Sequence, residues 1–413
     1  MKTHDVIIIG AGPAGLACGI RCAANGLSVA ILEKNNSAGK KLLLAGGGRC
    51  NITHAGTNKS LIQHYGKNTN QVKPALYSFT NTDLVSFFET RSLKIVEAPD
   101  GKLFPESSRS IDVLNVLLNE CSKNKVELFY NTAVTAVSAT GDTFLIQTAA
   151  QEFVSKNVVI ATGGMSYPIT GSTGDGYAFA QQLGHTLTET APALTSVNVK
   201  DFRFENCSGI SFKDSSIGLF RDDKKIARLQ GDVLITHKGL SGPGILDLSR
   251  NVRSGDIIKI SLMPQVNREV LEDEFIYGTV EFGRIQVHNF MTRYDIPQRF
   301  ITSILAAYRI PSDMQMANFD KKSRSKIISA LCELPFTVDY LAGYGEAMVT
   351  RGGVSLDEVN MNTMESRKLR GLYFCGEVLD IDGDTGGYNL QFAFSSGVIA
   401  AKAILSKSNS TAQ

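Results

Sequence analysis

The first part of the chain alternates between unbroken apolar runs and a helical pattern. Residues 6–9 are all apolar, which is typical of a strand buried on both faces. Residues 16–24 carry apolar positions at helical spacing, and Asn25-Gly26 follows as a helix-end signal. Residues 28–32 are again strand-like. The pattern therefore predicts a strand, a helix and a second strand in immediate succession.

Further segments show the same two periodicities. The patterns predict helices over residues 111–121 and 390–405, and strands over residues 126–129, 132–137, 144–148, 152–154, 158–161 and 371–375. After residue 405 the chain is rich in Ser and Lys, and we expect it to be disordered.

Composition changes near Pro192, which predicts an interruption of one domain by another. From there short strand-like segments alternate, then helical spacing takes over, and a strand of the first type returns at residues 371–375. We predict a nucleotide-binding domain in two parts, separated by an insert. The predicted ranges are 1–191 and 345–413 for the two parts and 192–344 for the insert, which is β-rich over 192–265 and helical over about 266–333.

A glycine pattern follows the first strand. Gly10, Gly12 and Gly15 have G-x-G-x-x-G spacing, in which the first permits a tight turn, the second lets a pyrophosphate approach and the third lets helix and strand pack closely. Glu33 ends the second strand, where a carboxylate accepts hydrogen bonds from ribose hydroxyls and repels a 2′-phosphate. The unit thus predicts bound FAD or NAD rather than NADP.

Bulk composition narrows the function classes. The 413 residues suggest two or three domains, and Lys plus Arg (42) nearly balances Asp plus Glu (40), so charge gives no case for a nucleic-acid partner. Seven cysteines without a C-x-x-C pair argue against a disulfide framework or structural zinc. No apolar run reaches the roughly 20 residues of a membrane span, and the first strand leaves no room for a signal peptide. We expect a cytoplasmic protein that acts on a small molecule and holds no metal.

A second glycine-rich loop lies near the C-terminal end, in the stretch GDTGGYNLQFAFSSG that begins at Gly383. It lacks the dinucleotide spacing and leads into a helix, so it suits the flavin end of a long cofactor. Backbone N–H groups near Asn389 and Leu390 would stabilise the negative charge of a reduced flavin. Glu377 or Asp382 would hold ribityl hydroxyls or a water near the pyrophosphate. The two loops together favour FAD over NAD.

Five sequence blocks carry a resemblance to the BaiN-like and aminoacetone-oxidase-like flavoproteins. The blocks are GKKLLLAGGGRCNITH from Gly39, ATGGMSYPITGSTGDGYAFAQQLGH from Ala161, LITHKGLSGPGIL from Leu234, MVTRGGVSLDEVNMNTMES from Met348 and GEVLDIDGDTGGYNLQ from Gly376. The resemblance implies an α/β protein with a Rossmann-type, glutathione-reductase-like FAD-binding domain. It further implies an insert with a β-barrel-like part and a small helical bundle.

The fingerprint, the second loop and this resemblance together define the predicted FAD contacts. These are Gly10, Gly12, Pro13, Ala14, Gly15, Glu33, Lys34, Lys41, Gly48, Arg49, Cys50, Asn51, Val134, Ala161, Thr162, Gly163, Gly164, Gly376, Glu377, Asp382, Gly387, Asn389, Leu390 and Gln391.

Three side chains are candidates to assist the flavin chemistry. Arg49 either faces an anionic substrate or the flavin, or anchors a phosphate. Tyr167 either donates a proton or packs against Pro168. His237 either acts as acid or base near neutral pH, or has a structural hydrogen-bonding role. A thiol-redox role for Cys50 is disfavoured, because no second cysteine lies near it in the sequence.

The leading hypothesis is an FAD-dependent oxidoreductase that uses flavin N5 for hydride transfer. One version accepts hydride from NADH or NADPH and saturates an activated C=C bond, and the other oxidises an amine or aminoketone with O2. The alternatives are a flavin-dependent RNA-modifying enzyme and a non-catalytic flavin-binding protein.

Overall fold

A computed structural model describes the backbone of residues 2–411 and the side chains as far as residue 408. The strands are β1 Lys2–Ile9, β2 Val29–Leu32, β3 Thr53–His54, β4 Ile95–Glu97, β5 Lys102–Pro105, β6 Glu127–Phe129, β7 Val134–Thr140, β8 Thr143–Thr148, β9 Glu152–Ile160, β10 Leu187–Ala193, β11 Val197–Val199, β12 Ser211–Arg221, β13 Lys224–Ile235, β14 Gly239–Ser241, β15 Ile257–Ile260, β16 Leu334–Leu341, β17 Val349–Val354, β18 Val359–Asn360, β19 Glu365–Ser366 and β20 Leu372–Phe374.

The helices are α1 Pro13–Ala23, α2 Lys40–Leu44, α3 Asn58–Leu61, α4 Thr69–Ser78, α5 Asn81–Glu89, α6 Ser110–Lys123, α7 Asp175–Gln182, α8 Pro243–Ser249, α9 Arg268–Glu281, α10 Val287–Met291, α11 Gln298–Ala307, α12 Lys321–Glu333 and α13 Tyr388–Thr411. Helix α13 runs past residue 405, and Lys407 pairs there with Glu365, so the predicted disorder is wrong for residues 406–411.

Contacts divide the chain into two compact units. The first unit comprises Met1–Pro192 and Met348–Gln413, and the second unit is Ala193–Ala347. Each unit has its own hydrophobic core.

A mixed sheet forms the centre of the first unit. Among the described residues it has nine strands, in the order β18-β19-β20-β9-β1-β2-β6, with β8 on β9 and β7 on β8. Strands β20, β9, β1, β2 and β6 run parallel, and the others pair antiparallel. Residues 6–9 in β1 and Val29–Leu32 in β2 are buried, as their apolar runs predict.

Strand β9 differs from the prediction. Residues 152–154 and 158–161 were expected to be separate strands, but Glu152–Ile160 is one strand that pairs with β1 from Lys2 to Ile9. Polar Ser155 lies inside it because its hydroxyl donates to the Asn157 carbonyl over 2.8 Å and is thereby satisfied although buried. A polar run therefore does not break the strand.

Helix α13 packs closely on α1. A Cβ at Gly397 would lie 2.3 Å from the Ala14 carbonyl oxygen, and a Cβ at Gly376 would lie 3.1 Å from the Ala14 Cβ. The C-terminal segment therefore packs against the first turn of α1, more than three hundred residues away in sequence.

The second unit is built on a closed antiparallel barrel. Within residues 193–347, all of which are described, the strand order is β11-β14-β13-β12-β15-β16. Helices α9 to α12 lie between β15 and β16 in sequence and share the barrel's core. The prediction of an α/β fold interrupted by an insert with a barrel and helices is confirmed. Across residues 2–411, no helix is both long and apolar enough to cross a membrane.

Candidate functional site

Three parallel strands end level at one edge of the sheet. Ile9 of β1 and Phe374 of β20 both pair with Ile160 of β9, so the loops that follow start side by side. In doubly wound sheets, ligands bind at this carboxyl edge. The G-x-G-x-x-G turn, the T-G-G turn and the Gly376 turn all begin here.

The fingerprint glycines occupy the geometry that the spacing predicts. Gly10 has φ +106°, and a Cβ there would lie 2.5 Å from the Ala161 carbonyl oxygen. Gly12 precedes α1 with Pro13 as the first helical residue, and no side chain caps this helix end. A Cβ at Gly12 would meet nothing within 4 Å. The N-terminus of α1 is therefore uncapped by any side chain and has free space beside Gly12, as an anion site requires.

Glu33 is held by backbone groups. Its Oε2 accepts from Ala11 N over 2.9 Å and its Oε1 from Asn35 N over 2.8 Å, and the side chain is buried. Val134, another predicted contact, is the first residue of β7 and lies two residues after Thr132. The Thr132 N–H donates to the Glu33 carbonyl oxygen over 2.9 Å. Lys34 Nζ instead contacts Thr173 Oγ1 and Asp175 Oδ2, each over 2.6 Å.

A hydrogen-bonded network joins the T-G-G turn to the Gly376 turn. Lys41 Nζ donates to both carboxylate oxygens of Glu377, over 2.9 and 2.7 Å. Glu377 Oε1 also accepts from Thr350 N over 2.8 Å, and Thr350 Oγ1 accepts from the N–H groups of Met165 and Ser166. Sequence reasoning missed Thr350 and Ser166, because no local pattern marks them.

Glycines in these turns and in the first turn of α7 make the close approaches possible. A Cβ at Gly164 would lie 2.6 Å from Thr350 Oγ1, and one at Gly176 would lie 2.1 Å from Thr162 Oγ1. Gly163 and Gly376 both have φ +75°, which favours glycine.

The C-terminal loop is stabilised from within. Asn389 Oδ1 accepts from Gly383 N over 2.8 Å, and its Nδ2 donates back to the Gly383 carbonyl over 2.9 Å. Gly387 has φ +94°, and Leu390 is half-buried in the first turn of α13. Asp382 is buried.

The loop of residues 45–52 carries four predicted contacts. Gly48 has φ +87°, and exposed Arg49 places its guanidinium 5.0 Å from the centre of the Phe104 ring. Burial raises the pKa of the Cys50 thiol to about 12, which leaves it protonated at neutral pH. A buried and protonated thiol gives no support to redox chemistry at Cys50.

The three proposed catalytic side chains lie in different settings. Tyr167 is half-buried with φ +54°, in the first unit. Arg49 is in the same unit, whereas His237 is exposed in the turn between β13 and β14 of the second unit. Their catalytic roles stay predictions.

A further pair of side chains that sequence reasoning missed lies against the C-terminal loop. His64 Nδ1 donates to Asp384 Oδ2 over 3.0 Å, and the His64 ring stacks on Tyr388 with centroids 4.1 Å apart. No signal in the sequence joins residue 64 to residue 384.

The residues at the sheet edge fit a dinucleotide with a polar ring system at its far end. Asn51 Oδ1 and Gln391 Oε1, which both belong to predicted flavin contacts, are among the buried side-chain oxygens that lack a hydrogen-bond partner within the described part of the chain. Unpaired buried oxygens are costly, so they favour a ligand with N–H or O–H donors. The described residues contain no cluster of three or more His, Cys, Asp or Glu with metal-binding geometry.

Comparison with known proteins agrees with this geometry. A 3-ketosteroid delta1-dehydrogenase from Sterolibacterium denitrificans has the same fold, with TM-score 0.52 and 12% identity over 98% of this chain and 100% of that one. The 3-dehydro-bile acid delta(4,6)-reductase of Clostridium scindens is 29% identical over 96% of this chain and 98% of its own length. A ribosomal RNA dihydrouridine synthase of Haemophilus influenzae is 31% identical over 96% of this chain and 98% of its own length.

Fold, glycine fingerprint and relatives define an FAD-dependent oxidoreductase with a Rossmann-type FAD-binding domain. The chain belongs to the family described as HI0933-like protein Rossmann domain, whose model matches residues 4–403. The predicted family resemblance is confirmed, as is the prediction of FAD as cofactor.

Proposed function

We propose that this protein is an NADH- or NADPH-dependent reductase of a C=C bond conjugated to a carbonyl group in a small or medium organic molecule. The observation that carries the proposal is the likeness, over nearly the whole of both chains, to a bile-acid delta(4,6)-reductase. The name of the dihydrouridine synthase relative denotes the same chemistry, because dihydrouridine is uridine saturated at a C=C bond next to a carbonyl.

The residues at the sheet edge would divide the cofactor between them. Gly12 and the N-terminus of α1 would face the pyrophosphate, and Glu33 would accept from the adenosine ribose hydroxyls. Asn51, Asn389 and Gln391 would surround the flavin ring. When bound and reduced, FAD supplies a hydride at flavin N5.

Charged groups near these turns have distinct proposed roles. Lys41 and Glu377 neutralise each other, so their paired side chains add no net charge beside the cofactor. Arg49 is exposed, and its closest described partners are the Phe104 ring and the Gly46 carbonyl. It is therefore the proposed cation for a substrate carbonyl or carboxylate. Tyr167 and His237 remain proposed acid–base candidates.

The test is anaerobic stopped-flow spectroscopy of the FAD-loaded full chain, with the two half-reactions measured separately. We expect NADH or NADPH to bleach the flavin, and 4-androstene-3,17-dione or 2-cyclohexen-1-one to reoxidise the photoreduced flavin. Failure of both nucleotides to bleach the flavin, together with bleaching by an amine or aminoketone, would favour the oxidase instead.

RNA is the second candidate substrate, on the strength of the relative named for ribosomal RNA. The near balance of 42 basic and 40 acidic residues gives it no electrostatic support. Reoxidation of the photoreduced enzyme by ribosomal RNA, but by neither enone, would replace the small-molecule proposal.

A further inference from the structure

His64, in the segment of residues 62–68, forms a histidine–carboxylate pair with Asp384. The proposed function gives this pair no role. Two hydrogen bonds join the partners: His64 Nδ1 donates to Asp384 Oδ2 over 3.0 Å, and Asp384 N donates to the His64 carbonyl oxygen over 2.9 Å. A carboxylate only accepts hydrogen bonds, so Nδ1 carries the hydrogen. The other nitrogen, Nε2, has no hydrogen-bond partner among the residues that the structure describes.

The pair lies next to the predicted flavin contacts. The rings of His64 and Tyr388 are nearly parallel, at 12° with centroids 4.1 Å apart. Tyr388 is the first residue of α13 and directly precedes Asn389 and Leu390, the residues expected to face the flavin. His64 is therefore in contact with the residue adjoining the flavin end of the site.

Neighbouring contacts fix this position within the first unit. Tyr65 donates its hydroxyl to the Tyr388 carbonyl oxygen over 2.8 Å, and Asn68 Nδ2 donates to the Asp380 carbonyl oxygen over 2.7 Å. The side chain of His64 is nonetheless 37% exposed. A histidine that is anchored at Nδ1 and accessible at Nε2 is suited to proton transfer with a bound molecule.

We propose that His64 is the proton donor of the C=C reduction, with Asp384 as its positioning residue. This inference rests on the proposed function. The β-carbon of the substrate receives a hydride, which NADH or NADPH supplies by way of FAD, and the electron pair of the C=C bond moves to the α-carbon. The Nε2–H bond of the imidazolium breaks as that electron pair forms the new C–H bond. The neutral imidazole then regains a proton from water, so that one hydride and one proton are added.

The ionisable groups around His64 are compatible with this role. Asp384 faces it from the C-terminal loop, Tyr388 from α13 and His54 from β3, with the His54 and His64 ring centroids 6.4 Å apart. Tyr65 adjoins it on the same segment, and burial raises the pKa of this phenol well above its usual value. Tyr65 therefore stays uncharged, and Asp384 is the group that stabilises the imidazolium.

The kinetic test uses the FAD-loaded full chain and its variants His64→Gln and Asp384→Asn. The matched control is His288→Gln, since His288 lies in the second unit and contacts Asn289 and Thr302 instead of a carboxylate. General-acid catalysis is worth about 10²–10⁴-fold, so reoxidation by 4-androstene-3,17-dione or 2-cyclohexen-1-one should slow at least about 100-fold in His64→Gln and by a smaller factor in Asp384→Asn. An unchanged rate in Asp384→Asn would overturn the positioning role of Asp384. Flavin reduction by NADH or NADPH, and reoxidation by O2, should stay within about twofold. The pH dependence of the enone step should differ between the wild type and His64→Gln, because only the wild type can donate the proton from His64.

A second readout does not depend on turnover. In protein labelled with [13C]histidine, the NMR signal of His64 is the one missing from His64→Gln. We expect this signal to shift when FAD is added to the apoprotein, while the His288 signal stays in place. This measurement follows the wild-type protein, and His64→Asn supplies the assignment if His64→Gln misfolds, so the proposal stays testable.

The possible failures are distinguishable. If neither enone reoxidises the wild-type flavin, the proposed function fails and the donor role of His64 fails with it. If the wild type is reoxidised and His64→Gln reacts equally fast, only the inference about His64 is overturned. An unmoved His64 signal on FAD binding also overturns it, because the ring would then not adjoin the flavin.

Discussion

At the residue scale, two glycines of one turn have different physical roles. A Cβ at Gly15 would lie 2.1 Å from the Gly10 carbonyl oxygen, a distance that forces helix α1 away from strand β1. A Cβ at Gly12 would meet no protein atom within 4 Å. Gly15 therefore serves protein packing, whereas Gly12 keeps space for a ligand.

This contrast predicts opposite effects of the same substitution. Gly15→Ala should lower the free energy of unfolding of the apoprotein by about 1–3 kcal/mol, the usual cost of overpacking. Gly12→Ala should change it by less than about 1 kcal/mol and yet weaken FAD binding at least about tenfold, because the methyl group would occupy the pyrophosphate side of the turn. Urea unfolding and FAD titration measure the two quantities. Equal FAD affinity in Gly12→Ala and wild type would contradict the assignment.

Thr350 gives a second residue-scale prediction. Its Oγ1 accepts from Met165 N over 2.8 Å and Ser166 N over 3.1 Å, and the side chain is fully buried. Thr350→Val keeps the shape but leaves these N–H groups without an acceptor, at a cost of about 1–3 kcal/mol in unfolding free energy. Thr350→Ser, which keeps the hydroxyl, should lose much less. Equal stability of the two variants would show that the hydroxyl contributes nothing.

The predictable part of the site is the part that is local in sequence. Gly10, Gly12, Gly15 and Glu33 lie in one β-α-β unit, where spacing fixes geometry. Thr350 is 185 residues from Met165, its hydrogen-bond partner, so no local pattern could assign it.

At the element scale, periodicity predicted the existence of elements better than their limits. The polar residues of β9 suggested two strands, yet pairing with β1 and β8 keeps Glu152–Ile160 continuous. The segment of residues 62–68 was not predicted at all, because it is a kinked 3₁₀ segment in which Gly66 has φ +51°. Such a segment has neither a helical nor a strand period, and its position depends on contacts with the distant C-terminal loop.

His185 contacts two strands of the sheet, β19 and β20, and its burial predicts that stability depends on pH. Its Nε2 lies 2.8 Å from Ser366 Oγ in β19, and its ring meets the Phe374 ring of β20 edge-on. Burial lowers the pKa of His185, an effect that Glu358 partly offsets. The unfolded chain therefore binds this proton more readily than the folded one. The free energy of unfolding should fall as pH drops below about 6.5, the ordinary histidine value.

The comparison of His185→Gln with wild type isolates this effect from other titrating groups. Urea unfolding at pH 7.5 and pH 5.5 should show a smaller loss of stability on acidification in the variant. An equal loss in both proteins would mean that His185 does not contribute to the pH dependence.

At the scale of the whole molecule, the insert has the attributes of an independent folding unit. Its hydrophobic core draws only on residues within Ala193–Ala347, and the core of the first unit draws on none of these. The closed barrel leaves no free sheet edge, which removes the main route to aggregation of an isolated β-sheet. The change of composition near Pro192 was visible in the sequence, whereas closure of the barrel depends on pairings such as β11 with β16, which no local pattern records.

A fragment of residues 193–347 should therefore fold alone. We expect a single cooperative transition in urea by circular dichroism, and dispersed amide signals by NMR, without any added cofactor. The same fragment should not bind FAD, because the glycine fingerprint, Glu33 and the C-terminal loop all belong to the first unit. A non-cooperative transition would mean that the separate core is insufficient to stabilise the barrel. Retention of yellow colour after gel filtration with FAD would mean that residues outside the fingerprint domain hold the cofactor.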